Sequence, residues 1–115
     1  MANVTIDDQR LVVKLTSSEK IESLRFHDLE FNLENVTDAY TTPRPFDELS
    51  GLRVGTGIPH VICVGTWYSG KDSIFAAIHR DSDALVVSFK GEKVTKIVVT
   101  IDGAIDLVRA IRQRL

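Results

Sequence analysis

The stretch Gly65-Thr66-Trp67-Tyr68-Ser69-Gly70-Lys71-Asp72 comes within one residue of a phosphate-binding loop. In such a loop, glycine-spaced amides cradle a nucleotide and a Ser or Thr after the lysine ligates magnesium. Asp72 stands at that position, and a carboxylate there repels phosphate. No second nucleotide motif is present, so the stretch reads as a β-hairpin with Gly70 in its turn. Gly55-Thr56-Gly57 is too short for a dinucleotide fingerprint and has no βαβ unit around it. His60-x-x-Cys63 offers two metal ligands where a structural zinc takes four, and strand alternation puts positions three apart on opposite faces. Cys63 is the single cysteine, so no intramolecular disulfide forms, and it reads as a small buried hydrophobe. His79 with Asp81 and Asp83 reads as a solvated strand end. Asp47-Glu48 places two carboxylates side by side, and in a loop such charges serve solvation. No Ser, Cys or Thr is marked by a partner base, as nucleophilic catalysis requires. No catalytic residue, metal or cofactor is expected, and the chain reads as non-enzymatic.

Recognition chemistry is better represented. Arg44 and Arg53 lie in a segment otherwise light in basic charge, and a guanidinium offers a rigid fork of donors to a carboxylate or a peptide backbone. Trp67 and Tyr68 are adjacent, so on a strand they face opposite sides, one inward and one toward solvent. Aromatic residues and arginine dominate binding hot spots. These four are the candidate binding residues. The alternative for Arg53 is a pairing with Asp47 or Glu48 that merely fastens the loop.

Charge excludes other partners. The formal net charge is -2, where a nucleic-acid binder needs a basic excess to neutralise phosphates. The early turn Asp7-Asp8-Gln9-Arg10 sets two acids against one arginine, so a strong attraction to phosphoinositides or anionic membranes is not expected. The N-terminal residues lack the basic and apolar regions of a signal peptide, and no apolar run approaches membrane-spanning length. A cytoplasmic location is the expectation.

These residues must be positioned by one domain spanning 1–115, since the length and the 43% apolar content suit a single core. Short β-rich segments dominate: 4–6, 11–15, 28–33, 36–42, 60–68, 73–80, 84–90 and 94–101. Turn residues between the later ones recur about every ten positions, as in a sandwich or barrel. Thr16 and Glu19 fit a capping box for a short helix after the first hairpin. Residues 43–59 carry three prolines and three glycines and read as a long irregular loop, packed by Phe46, Leu49, Leu52 and Val54 or else functional. Ala104, Leu107, Val108, Ile111 and Leu115 recur at helical spacing, with Asp102 as N-cap, so a capping amphipathic helix is expected over about 103–114.

The order of elements resembles the pleckstrin-homology superfold, and specifically small single-domain bacterial proteins of the actinobacterial type. The residues that carry the resemblance are Leu11-Val12-Val13-Lys14-Leu15 with Ser18-Glu19-Lys20, Arg53 through Pro59, Gly65-Thr66-Trp67, Lys71 through Phe75, and the final run from Leu85 to Leu115. The resemblance implies a mainly β, PH-like sandwich or partly open barrel. It would have about seven antiparallel strands and a C-terminal capping helix. It transfers no activity, because the superfold supports several kinds of binding. The expected function is a protein or peptide interaction module, including self-association into a homo-oligomer. The alternative is a small-molecule binding protein with its pocket beneath the 43–59 loop.

Overall fold

The computed structural model describes residues 3–16, 28–49, 52–58, 62–79 and 83–114. The expected helix after the first hairpin, with its Glu19 cap, lies outside them. Among the described residues the chain is mainly β, in two sheets, with one α-helix near the C-terminus. The smaller sheet is antiparallel and joins β1 (Asn3–Asp7), β2 (Arg10–Lys14) and β3 (Leu29–Asn32) in that order. The larger contains β4 (Val36–Thr42), β5 (Leu52–Ile58), β6 (Ile62–Ser69), β7 (Asp72–Ile78), β8 (Ala84–Phe89) and β9 (Lys96–Val99). Its order is β4-β8-β9-β7-β6-β5, and it does not close into a barrel.

Two features differ from the sequence expectation. Nine strands are found among the described residues, where about seven were expected, and they are not all antiparallel, because β9 runs parallel to β7 and antiparallel to β8. The chain leaves β7, skips one strand position, forms β8 and returns through the gap. The reason lies in side-chain pattern. Ile97, Val98 and Val99 are all buried, as are 74–78 in β7 and 84–87 in β8. A strand apolar on both sides belongs in the middle of a covered sheet.

Threonines at each end of β9 fix it there. The Thr95 N–H donates to the Ser73 carbonyl at 2.8 Å, and the Thr95 hydroxyl accepts from the Ser73 N–H at 3.0 Å. At the far end the Thr100 N–H donates to the Ala77 carbonyl at 3.0 Å, and its hydroxyl accepts from the His79 N–H at 3.3 Å. Side-chain oxygens thus extend the parallel ladder beyond the strand itself, satisfying backbone donors that burial would otherwise strand.

The larger sheet is covered on both faces. On one, Val64, Phe75, Ala77, Leu85, Val87, Ile97 and Val99 meet Leu11, Val13 and Phe31 of the small sheet. Phe31 stacks on Phe89 across the two sheets, ring centroids 4.1 Å apart. α1 (Ala104–Arg112) fills the rest of that face with Ala104, Val108 and Ile111, packing on β4 and β8. Its N-cap is Gly103, at φ 70, rather than Asp102 one residue earlier. The turn into α1 needs the left-handed backbone that glycine adopts freely, and this requirement overrides the side-chain preference for Asp. Arg114 at its far end donates to the Asp8 carbonyl of the β1–β2 turn at 3.1 Å.

The opposite face carries Trp67, Ile74, Ala76, Ile78, Ala84, Val86 and Val98, with Tyr40, Phe46 and Leu49 packed against them. Phe46 and Leu49 belong to the stretch expected as a loop, which is not structureless. Pro45–Glu48 form a 3-10 turn with proline in its first positions, and Leu52–Ile58 form β5. Gly55 and Gly57 disguise the strand, and its pairing with β6 along all seven residues overrides their low strand preference.

Two stability measurements check this architecture. Ile111→Ala should lower unfolding free energy by about 2–5 kcal/mol, because Ile111 is fully buried under the helix, whereas Ile105→Ala, at a position 52% exposed, should change it by less than about 0.5 kcal/mol. Thr100→Val keeps the volume but removes the acceptor of the His79 N–H, and should lower stability by about 1–3 kcal/mol in the same denaturant titration. A neutral Thr100→Val would mean that the hydroxyl clip does not hold β9.

Candidate functional site

Backbone hydrogen bonding makes the two edges of the larger sheet unlike. At the β4 edge the strand bulges between Val36 and Asp38, and the next residue has its groups satisfied from its own chain. The Ala39 N–H donates to the Asp38 carboxylate at 2.8 Å, and the Ala39 carbonyl accepts from Arg112 Nε at 2.8 Å. Bulges and side-chain caps of this kind block further strand pairing. α1 therefore serves twice, as a core cover and, through Arg112, as a plug for the edge.

At the other edge stands β5, whose only strand partner among the described residues is β6. Its register places Leu52 opposite Tyr68, Arg53 opposite Trp67 and Gly57 opposite Cys63. Three of the four candidate binding residues thus come together on neighbouring positions of two strands. Trp67 is the inward member of the aromatic pair, buried in the second cluster, and Tyr68 is the outward one, 47% exposed. Arg44 is not brought into their register. It caps the 3-10 turn, is exposed, and pairs with Asp47 at 3.3 Å.

Among the described side chains the Pro45–Leu49 strap is fastened by Arg44, Tyr40 and Lys96; the Arg53 side chain, for which a fastening role was the alternative, lies outside them. Asp47 pairs with Arg44, and Glu48 is held by two groups from the sheet beneath. The Tyr40 hydroxyl of β4 donates to Glu48 Oε1, and Lys96 Nζ of β9 lies 3.3 Å from the same oxygen. Sequence reasoning read Glu48 as a solvating charge and did not single out Lys96. The available signal was Lys96 itself, a lone cation opening the apolar run Ile97-Val98-Val99, together with Tyr40 on the same face of the sheet. Burial first, then the hydrogen bond to Glu48 and its negative charge, with a smaller contribution from Asp38, push the Tyr40 phenol from 10.0 up to about 12.

Beside the strap a concavity of ≈ 370 Å³ opens, lined by Asp72, Ile74, Ser88, Phe89, Thr95 and Lys96. Phe46 and Leu49 occupy the space directly under the strap. The near-miss phosphate loop is a hairpin, β6 and β7 joined through Gly70 at φ 60, and lacks the helix a phosphate loop requires. His60 lies outside the described residues. Among the described residues no three His, Cys, Asp or Glu side chains gather as a metal site would need, and no helix is long and apolar enough to cross a membrane.

Compared with protein-family models, with curated proteins and with solved structures, this chain matches none of them.

The clamp on the strap is directly measurable. The chain has two tyrosines, so in a Tyr68→Phe background ultraviolet titration reports Tyr40 alone. Its midpoint should fall at about 12, and Glu48→Gln should lower it, leaving the part due to burial. A raised pKa means that the fold favours the protonated phenol. This contribution to stability is present below pH 10.0 and is lost as pH rises through about 12. A midpoint that Glu48→Gln does not move would remove Glu48 from the clamp.

Proposed function

We propose that this chain is a non-enzymatic interaction module that takes an extended segment of a protein or peptide partner along β5. The observation that carries this reading is the contrast between the two edges of one sheet. β4 is plugged at Ala39 by Asp38 and Arg112, while β5 stands outermost beside the exposed Tyr68. In strand addition the backbone supplies affinity and flanking side chains supply selectivity. Arg53 orients the incoming segment and Tyr68 anchors it. Trp67 acts from beneath, holding β6 against the second cluster.

The pleckstrin-homology resemblance belongs to this reading at the level of architecture. Two packed sheets and a C-terminal helix across one end support it. The parallel pairing of β7 with β9 departs from the all-antiparallel sandwich that the resemblance implies. The plugged edge is also the one beside the C-terminal helix, so partner binding belongs at the opposite edge.

A second reading, a binder of small molecules, has the ≈ 370 Å³ concavity in its favour. Asp72, Ser88, Thr95 and Lys96 around it suit a compact hydrophilic ligand rather than an apolar one.

Selection from a display library of random peptides separates the two. Peptides that bind should perturb backbone resonances of 52–58. Tyr68→Ala should weaken them by about tenfold or more with the melting curve unchanged, as for a hot-spot aromatic. Peptides that perturb only the surroundings of Lys96, or none selected at all, would count against strand addition at β5.

A further inference from the structure

β5 carries a pattern that bears on what kind of strand it accepts. Its seven residues, Leu52-Arg53-Val54-Gly55-Thr56-Gly57-Ile58, contain one charge, Arg53, and no Pro, Lys, Asp or Glu. Exposed edges are ordinarily guarded by such residues, by bulges or by brevity. The same sheet guards its β4 edge with a bulge and two side-chain caps, and the small sheet ends at a four-residue strand carrying Glu30. β5 is as long as β4 and has neither device in its described pairing, which runs without a break from Leu52 to Ile58.

Gly55 stands at the centre of β5, with an aliphatic or β-branched residue at 52, 54, 56 and 58 on either side of it. Positions 52, 54, 56 and 58 share one face of the strand, and 53, 55 and 57 share the other. Laid antiparallel on itself about Gly55, the strand sets Leu52 opposite Ile58 and Val54 opposite Thr56. Both pairings then recur by symmetry, so the first face is wholly apolar or β-branched. On the second face Gly55 meets its own copy and Arg53 meets Gly57. The two arginines are never opposed, so the like-charge penalty of directly facing residues does not arise. The register uses the whole strand. It ends where Pro59 follows, a residue with no N–H to continue a ladder.

Building on the strand-addition reading, we propose that the segment β5 accepts is β5 of a second copy of this chain. The two strands pair antiparallel about a two-fold axis at Gly55 and join two six-stranded sheets into one. Such an interface is self-complementary, as two-fold dimers require, and closes without leaving the same edge free to grow further.

Sedimentation equilibrium of the wild-type chain over a wide concentration range should show a mass that rises to twice 12.8 kDa and stops. Hydrogen exchange should show the amides of 52–58 slowing between dilute and concentrated samples. In a Cys63→Ala background, Gly55→Cys sits on the axis. It should form a covalent dimer on mild oxidation about tenfold faster than Gly57→Cys, which faces a different residue, since disulfide geometry tolerates little offset. A single-chain mass at every concentration overturns the proposal. So does a dimer in which 52–58 gain no protection, or equal crosslinking of the two variants. If the chain stays single yet still binds selected peptides along 52–58, self-pairing fails and strand addition stands. If the cysteine variants do not fold, the wild-type mass and exchange data decide alone.

Discussion

The seating of β9 between β7 and β8 is the interaction on which the rest depends. It places Ile97 and Val99 in one core cluster and Val98 in the other, so one strand is common to both layers of packing. It also brings Lys96 under the strap, where Glu48 meets it. Removing β9 would separate β8 and β4 from the β5-β6-β7 meander, and with them the helix that packs on β4 and β8. The Thr95 and Thr100 clips therefore matter beyond their own hydrogen bonds, because they hold the one parallel contact in an otherwise antiparallel sheet.

Because the central sheet is covered on both sides, its edges are where unpaired backbone groups must be dealt with. α1 resolves one of them. Its apolar stripe is set by the first core cluster, and its last turn carries Arg112 out to the Ala39 carbonyl. The same helix sends Arg114 to the β1–β2 turn, tying the small sheet to the end of the chain. The strap resolves much of the second face, with Phe46 and Leu49 on Trp67 and its neighbours and Glu48 locked by Tyr40 and Lys96. Among the described residues, β5 is the sheet edge on which neither device acts, with Tyr68 opposite its first residue.

Much of this was legible in the residues. The helix showed in the spacing of Ala104, Val108 and Ile111, the hairpin in Gly70, and the small sheet in alternation along Leu29 and Phe31. That Trp67 and Tyr68 face opposite sides followed from strand alternation; that Trp67 is the buried one did not. Strand neighbours were not legible. Alternation reports which face is buried and is silent on which strand lies alongside, so the turn spacing suggested a simple meander where β9 in fact doubles back. The unbroken apolar runs at 74–78, 84–87 and 97–99 held the clue, since a sheet open on one face would alternate. β5 was hidden by Gly55 and Gly57, whose strand conformation comes from β6 and not from local preference. The clamp left no more than the hint of Lys96 opening an apolar run, because Tyr40, Glu48 and Lys96 meet only after three separate elements pack.

The insertion of β9 also orders the birth of the molecule. Strands β5, β6 and β7 follow one another and pair in sequence order, whereas the gap beside β7 is filled only by β9, after β8 has been passed. In any folding order that starts with this meander, β7 has one side unpaired until β8 has been passed and β9 enters the gap. Unpaired edges of this kind are where nascent chains associate wrongly. The strand that completes the centre of the larger sheet follows both of its neighbours in sequence, so this sheet closes from its middle rather than from its rim.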